Sequence, residues 1–168
     1  MTFNSVDELK NYILSRSKVA IEQARERVYD KIAEFLFKFY EEFEPNVYVR
    51  TYQLLCSLVK TDVVKTTNGW VAEVYFDLNA LDYSTRIVPQ GQPWSSYAKP
   101  ENTYHRENWT KENDAWVLET AMTGANPHGG YDRATGNTRI WIESMKVLNK
   151  KKRSILKKAL IDAGIPVR

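Results

Sequence analysis

Cysteine and histidine are nearly absent from this chain, and their scarcity excludes several kinds of site. The 168 residues include one cysteine, Cys56, and two histidines, His105 and His128. An intramolecular disulfide needs two cysteines, and a structural zinc ion needs four ligands that are mostly Cys or His. We therefore predict no intramolecular disulfide, no metal site and synthesis in a reducing compartment.

Glycine-rich loops and long apolar segments are missing as well. The seven glycines form neither phosphate-binding motif, Gly-x-Gly-x-x-Gly or Gly-x-x-x-x-Gly-Lys, nor the Gly-x-Ser-x-Gly motif of a serine nucleophile. No run of about 18 apolar residues occurs, and residues 1–5 lack the basic and apolar parts of a signal peptide. We predict a protein without catalytic residues, cofactors or a membrane partner.

A long N-terminal helix is the strongest structural prediction. Ser5-Val6-Asp7-Glu8 has the form of a capping box, and apolar residues then recur every three or four positions until Pro45. This pattern predicts a helix over residues 5–43, with a kink near Ser15–Lys18 as the alternative. Small side chains weaken the apolar stripe in the first half. We expect the second half to pack on a sheet and the first half to reach a neighbouring subunit.

The remaining segments predict a small sheet and shorter helices. Residues 57–76 alternate as a β-hairpin around Asn68-Gly69, and the return strand places Trp70, Ala72, Val74 and Phe76 on one face. Beyond it we predict an extended loop or arm at 79–108, a helix at 110–124 and two C-terminal helices within 138–163. The first of these ends at Leu148, and the second begins at Lys150 and is closed by Gly164. The fold class is α+β, a single domain over residues 1–168 with a long N-terminal helix and C-terminal helices packed on a small antiparallel β-sheet.

The long arm and the basic C-terminal segment supply the candidate interface residues. In the arm these are the aromatic residues Trp94, Tyr97 and Tyr104, and an unpartnered surface insertion is the alternative. Residues 146–168 carry eight Lys or Arg residues against Asp162 alone. The basic candidates are Lys146, Lys150, Lys151, Lys152, Arg153, Lys157 and Lys158. They could bind DNA phosphates, bind an acidic subunit surface, or form a solvated face near a helix C-terminus.

Two further positions invite a chemical interpretation. His105 could be the general base of a nuclease, but such a site also needs metal-binding carboxylates or a partner histidine, and a surface histidine is the simpler interpretation. Arg50 follows the predicted end of the long helix, where its guanidinium could bind exposed carbonyls. We predict that Tyr48, Arg50 and Thr51 form a structural junction and that no residue is catalytic.

The segment Tyr48–Ser57 resembles a family of tailed-bacteriophage minor tail-component or tail-completion proteins, the neck or head-tail connector proteins. Its members share a long N-terminal helix, a Tyr-x-Arg-Thr-x-x-Leu-x-x-Ser turn and a following strand pair. Ile155–Arg168 and His128–Tyr131 resemble the same proteins. The resemblance implies a non-enzymatic virion protein, made in the host cytoplasm, that forms a multi-copy ring in the neck. Its partners would be other connector, tail-tube or tail-terminator proteins and packaged DNA. A DNA-binding protein using the basic C-terminal helix and a nuclease are the alternatives.

Overall fold

A computed structural model describes residues 2–41, 52–82, 85–87, 103–105, 110–123 and 140–167. The helices are α1 (Val6–Glu41), α2 (Gln53–Cys56), α3 (Lys111–Thr123) and α4 (Ile140–Asp162). The strands are β1 (Leu58–Lys60), β2 (Val64–Thr66), β3 (Gly69–Val71), β4 (Val74–Phe76), β5 (Thr85–Ile87) and β6 (Thr103–His105), and a 3-10 turn covers Leu78–Ala80. The predicted α+β class, with a long N-terminal helix, a C-terminal helix and a small antiparallel β region, is confirmed.

Helix α1 begins at the predicted capping box. The Ser5 hydroxyl oxygen accepts a hydrogen bond from the Glu8 amide at 3.1 Å, while the Glu8 carboxylate accepts from the Asn4 amide at 2.8 Å. In a capping box the Glu8 carboxylate would accept from the Ser5 amide, but here it accepts from the amide of the preceding residue. The helix runs without a break through Ser15 and Ser17, whose hydroxyls donate to main-chain carbonyls one turn earlier. It comprises 36 residues.

Helix α4 is a single element where the sequence predicts two. The predicted break near Leu148–Lys150 contains neither glycine nor proline, so the backbone can continue as a helix. The helix ends before Gly164, which has a φ of 87°. The amides of Gly164 and Ile165 donate to the carbonyls of Ile161 and Leu160, at 2.9 and 2.8 Å. A left-handed glycine at this position is the usual helix-stopping arrangement.

Strands β2 and β3 form a hairpin whose turn lies one residue earlier than predicted. Their antiparallel register pairs Val64 with Val71 and Thr66 with Gly69. The two turn residues are therefore 67 and 68. Among the described non-glycine residues only Tyr52 has a positive φ, whereas Gly69 has a φ of 138°. The glycine thus supplies the unusual backbone angle at the start of β3 instead of within the turn.

Strand β1 pairs with β4 beyond an irregularity in the hairpin. The Thr61 amide donates to the Glu73 carbonyl at 3.0 Å, and regular pairing resumes at Val64 and Val71. Asp62 and Val63 therefore oppose Ala72 alone, which is the arrangement of a β-bulge. The return strand keeps its alternation. Its partly buried positions are Trp70, Ala72, Val74 and Phe76, which the sequence places on one face, and its exposed positions are Val71, Glu73 and Tyr75.

The chain divides into two compact units within the predicted single domain. Unit 1 comprises Met1–Lys31, Val59–Tyr75 and Met145–Arg168, and unit 2 comprises Ile32–Leu58 and Phe76–Ser144. Unit 1 therefore contains the first part of α1, the hairpin and most of α4. Among the described residues of unit 2, the buried apolar ones are Ile32, Leu36, Leu54, Leu58, Leu81 and Ile140.

Unit 2 contains part of the segment that the sequence predicts as an arm. Strands β5 and β6 pair antiparallel, with Thr85 opposite His105 and Ile87 opposite Thr103. Lys111 at the start of α3 donates to the Leu81 carbonyl and lies 3.3 Å from the buried carboxylate of Asp114. The segment 79–108 thus includes a 3-10 turn and a strand pair, and residues 88–102 lie outside the described residues.

Candidate functional site

In unit 1, small side chains form the contact between α1 and α4. Ala20, Ala159 and Ala163 are buried together, with Val19, Ala24 and Leu160 packed around them. The guanidinium of Arg27 donates to the Ile155 carbonyl at 3.2 Å and contacts the Asp162 carboxylate at 2.6 Å. The Tyr12 hydroxyl donates to the Gly164 carbonyl at 3.1 Å. Early residues of α1 thus meet late residues of α4, so the two helices run antiparallel.

The hairpin also packs on the first part of α1. The Trp70 indole Nε1 donates to the Leu14 carbonyl at 2.9 Å, and the Arg25 guanidinium donates to the Thr61 carbonyl at 2.6 Å. The sequence places the sheet against the second half of α1, whereas the hairpin also contacts the first half at Leu14. That the first half reaches a neighbouring subunit stays a prediction. The sequence predicts a weak apolar stripe at the small side chains of Ala20 and Ala24, but these residues provide a shallow surface on which α4 packs.

Glu26 joins the hairpin to α1 through charged contacts. Its carboxylate accepts from Lys60 and lies 2.7 Å from the Arg25 guanidinium. The Lys60 ammonium also lies 4.7 Å from the centre of the Tyr29 ring. The hydrogen bond from Lys60, followed by that from Arg25, lowers the pKa of Glu26 below its ordinary value, because both favour the charged carboxylate.

The lowered pKa gives Glu26→Gln a specific pH dependence. A carboxyl group with a depressed folded-state pKa stabilises the protein above its unfolded pKa, and this contribution is lost as pH falls through the folded value. At pH 7 we expect the variant to be less stable by under about 1 kcal/mol, because the ion pairs are partly exposed. The difference should shrink toward zero below about pH 4. Urea midpoints at several pH values measure it, with Glu22→Gln as control. A difference that does not change with pH contradicts the assignment.

All seven predicted basic residues of α4 are exposed. Lys146, Lys150, Arg153 and Lys157 are spaced four, three and four residues apart, so they lie on one side of the helix; we call them the basic stripe. The last turn of α4 contains no basic residue. The favourable effect of cations on a helix dipole falls off within that turn. The stripe therefore does not serve to stabilise the helix C-terminus.

The start of α1 exposes an apolar surface in unit 1. Val6, Leu9 and Ile13 are 81%, 38% and 43% exposed, and we call them the apolar end of α1. Spacings of three and four residues place them on the side of the helix that carries Ala20. At Ala20 this side of α1 is covered by α4. Nearer the start of α1, Tyr12 contacts Gly164, which lies beyond the end of α4. The apolar side of α1 thus extends past the end of α4.

The structure describes only some of the other predicted site residues. Tyr48, Arg50, Thr51, Trp94 and Tyr97 lie outside the described residues. Tyr104 and His105 belong to β6, but their side chains are outside what the structure describes. Tyr52, directly after the predicted junction, has a left-handed φ of 55°, and its ring lies 4.9 Å from that of Tyr40. No sequence signal indicated this strained position.

Within the described ranges, no three His, Cys, Asp or Glu side chains are grouped so that they could hold a metal ion. None of the described helices combines the length and the apolar character needed to cross a membrane. What the described side chains do bring together is the basic stripe on α4 and, on α1, the apolar end.

One comparison with known proteins gives a match. The family model described as YomN matches residues 5–163, from the capping serine to the residue that follows α4. The match therefore spans both units and nearly the whole chain. Neither the curated proteins nor the solved structures include one that matches the chain.

Proposed function

We propose that this chain, which belongs to the YomN family, is a structural protein of a bacteriophage particle. The family is phage-derived and takes its name from a protein of a Bacillus prophage. We place the protein in the neck of the virion, as a ring-forming head-tail connector or tail-completion component made in the host cytoplasm. Its partners are further copies of itself and neighbouring connector, tail-tube or tail-terminator proteins. The resemblance of Tyr48–Ser57 to tail-completion proteins supports this position.

The observation that carries self-association is the uncovered apolar end of α1. Unit 1 exposes a second apolar surface on the hairpin, where Val64, Val71 and Tyr75 are 59%, 46% and 46% exposed. Val64 and Val71 are register partners, so their side chains stand next to each other; we call this surface the outer hairpin face. A ring closes when one surface of each copy binds a different surface of the next. We assign the apolar end of α1 to the outer hairpin face of the adjacent copy.

Self-association can be measured by particle mass and negative-stain microscopy over a range of protein concentrations. We expect the wild-type chain to form closed rings. The variants Val6→Ser/Ile13→Ser and Val64→Thr/Val71→Thr should each need at least about tenfold more protein to assemble, because losing 1.4 kcal/mol of apolar contact weakens association tenfold. Both variants should keep their helical circular dichroism.

The matched control removes an equally exposed apolar side chain from another part of α1. Phe37 is 53% exposed and belongs to unit 2, so Phe37→Ser should leave assembly unchanged. A wild-type chain that stays monomeric at high concentration would overturn the ring. Absence of the protein from purified particles of a phage that encodes it would overturn the structural role itself.

A further inference from the structure

Every residue in the middle of α4 is exposed to solvent. Residues 149–154 are all exposed, which covers more than one full helical turn and therefore every side of the helix. The buried residue Leu148 precedes this segment, and the partly buried Ile155 follows it. Four consecutive cations, Lys150–Arg153, occupy the segment, and we call them the basic turn. Because the residues before and after this exposed turn are packed, the turn itself forms a separate surface.

Neither ion pairing nor the helix dipole explains the basic turn. Lys158 of α4 forms an ion pair with Asp162, and Asp162 also pairs with Arg27. Lys150, Lys151, Lys152 and Arg153 have no ion-pair or hydrogen-bond partner for their side chains among the described residues. Like charges on neighbouring positions of a helix surface repel each other, and Lys150 and Arg153, three residues apart, are such neighbours. The turn therefore carries an unfavourable concentration of charge that an external anion would relieve.

We propose that the basic turn binds duplex DNA through its phosphates, without reading base sequence. Lys150 and Lys152 are two residues apart, so they point about 200° from each other, to nearly opposite sides of the helix. The major groove is about 12 Å wide, admits a helix of about 10–12 Å diameter and has a phosphate chain along each edge. Cations on opposite sides of an exposed helix match those two chains.

The basic stripe extends this contact along the helix. From Lys146 to Lys157 it rises by eleven residue steps, or about 16.5 Å, which equals roughly five base-pair steps of about 3.4 Å. Asn149 adds a polar side chain of a kind that also contacts phosphate oxygens. The number of contacts available is therefore at least four, since the turn itself supplies four cations.

The composition of this surface favours DNA over an acidic protein. Protein interfaces depend on buried aromatic and apolar anchors at their centre. Residues 149–154 contain only Asn, Lys, Arg and Ser. Phosphate binding needs only cations at suitable positions, and it requires no apolar contact. This binding activity goes beyond the structural role proposed above and can be tested on its own.

Fluorescence anisotropy with two duplexes of equal length and unrelated sequence tests the proposal. We expect the wild-type chain to bind both equally. Four phosphate contacts give a slope of about −3.6 for log K against log salt, which is roughly a 100-fold loss of affinity between 50 and 200 mM salt. Lys150→Gln/Lys151→Gln/Lys152→Gln/Arg153→Gln should remove most of this slope. Gln and Lys have similar helix propensities, so its helical circular dichroism and melting temperature should be retained.

A charge-matched pair separates a local site from an effect of net charge. Lys150→Gln/Arg153→Gln should reduce the slope by about 2, at about 0.9 per phosphate. Lys10→Gln/Lys65→Gln removes the same charge from exposed positions of unit 1 and should leave the slope unchanged. Equal losses in both variants, or no wild-type binding at low salt, would overturn the proposal. Displacement of the duplex by an equal charge of polyglutamate would assign the surface to an acidic protein instead.

The same measurement distinguishes this proposal from ring formation. Val6→Ser/Ile13→Ser changes the apolar end of α1 and leaves the basic turn intact. We expect this variant to keep the wild-type slope per chain, even where it no longer assembles. A slope lost with assembly would show that the basic turn does not bind DNA by itself, and it would overturn the proposal.

Discussion

Replacing Leu36 by alanine is expected to lower the free energy of unfolding by about 2–5 kcal/mol. The Leu36 side chain is 0% exposed in unit 2, so the truncation removes buried carbon atoms and leaves a cavity. Close-packed surroundings relax only partly around such a cavity, and the lost packing adds to the lost hydrophobic transfer energy. Urea denaturation should show a lower midpoint with an unchanged dependence of the unfolding free energy on urea concentration.

The adjacent residue provides the control for this substitution. Phe37 is 53% exposed. Phe37→Ala introduces alanine, a strong helix former, into α1, as Leu36→Ala does. We therefore expect Phe37→Ala to change stability by less than about 1 kcal/mol, although it deletes the larger side chain. Similar losses in the two variants would contradict the burial that distinguishes the two positions.

The parts of the fold that the sequence predicted correctly are those with local causes. The start of α1 follows from Ser5 and Glu8, and the stop of α4 follows from Gly164. The alternation from Trp70 to Phe76 follows from the two-residue repeat of a strand. The small errors are also local. The turn moved by one residue because the register pairs Thr66 with Gly69, and neighbouring sequence does not determine that register.

The packing of α1 could not be predicted because its partner is distant in sequence. Ala20 meets Ala159, nearly 140 residues later. Judged by side-chain size alone, a stripe of small side chains predicts little apolar burial. It nevertheless permits a second helix to approach closely, and the side chains of that helix fill the remaining space. Buried polar groups such as Ser144 and Asp114 likewise gave no signal, since their burial depends on the final packing.

The candidate surfaces show the same division. Counting charge predicted that α4 would be basic, and the residue spacing places four cations on one side. Only the structure shows that residues 149–154 are exposed on every side and that the last turn of the helix carries no cation. The junction at Tyr48, Arg50 and Thr51 stays a prediction. Within the same motif, Leu54 and Ser57 are buried, and the Ser57 hydroxyl donates to the Leu54 carbonyl at 2.8 Å.

Ala20→Leu is expected to destabilise the chain by about 1–3 kcal/mol, because the α1–α4 contact has no room for three further carbon atoms. Ala20 and Ala159 are both 0% exposed and belong to the same cluster. Leucine is nearly as good a helix former as alanine, so the loss measures packing alone. Lys10→Leu, at an exposed position of the same helix, should cost no more than about 0.5 kcal/mol.

A double variant tests whether the two alanines share one space. Residues in contact do not contribute independently to stability, and their coupling energies are about 0.5–3 kcal/mol. Two leucines at Ala20 and Ala159 compete for the same volume, so Ala20→Leu/Ala159→Leu should lose more stability than the sum of the two single variants. Additive losses would place the two residues in separate contacts. The antiparallel packing of α1 and α4, which leaves the apolar end of α1 uncovered, would then not be centred on a contact between Ala20 and Ala159.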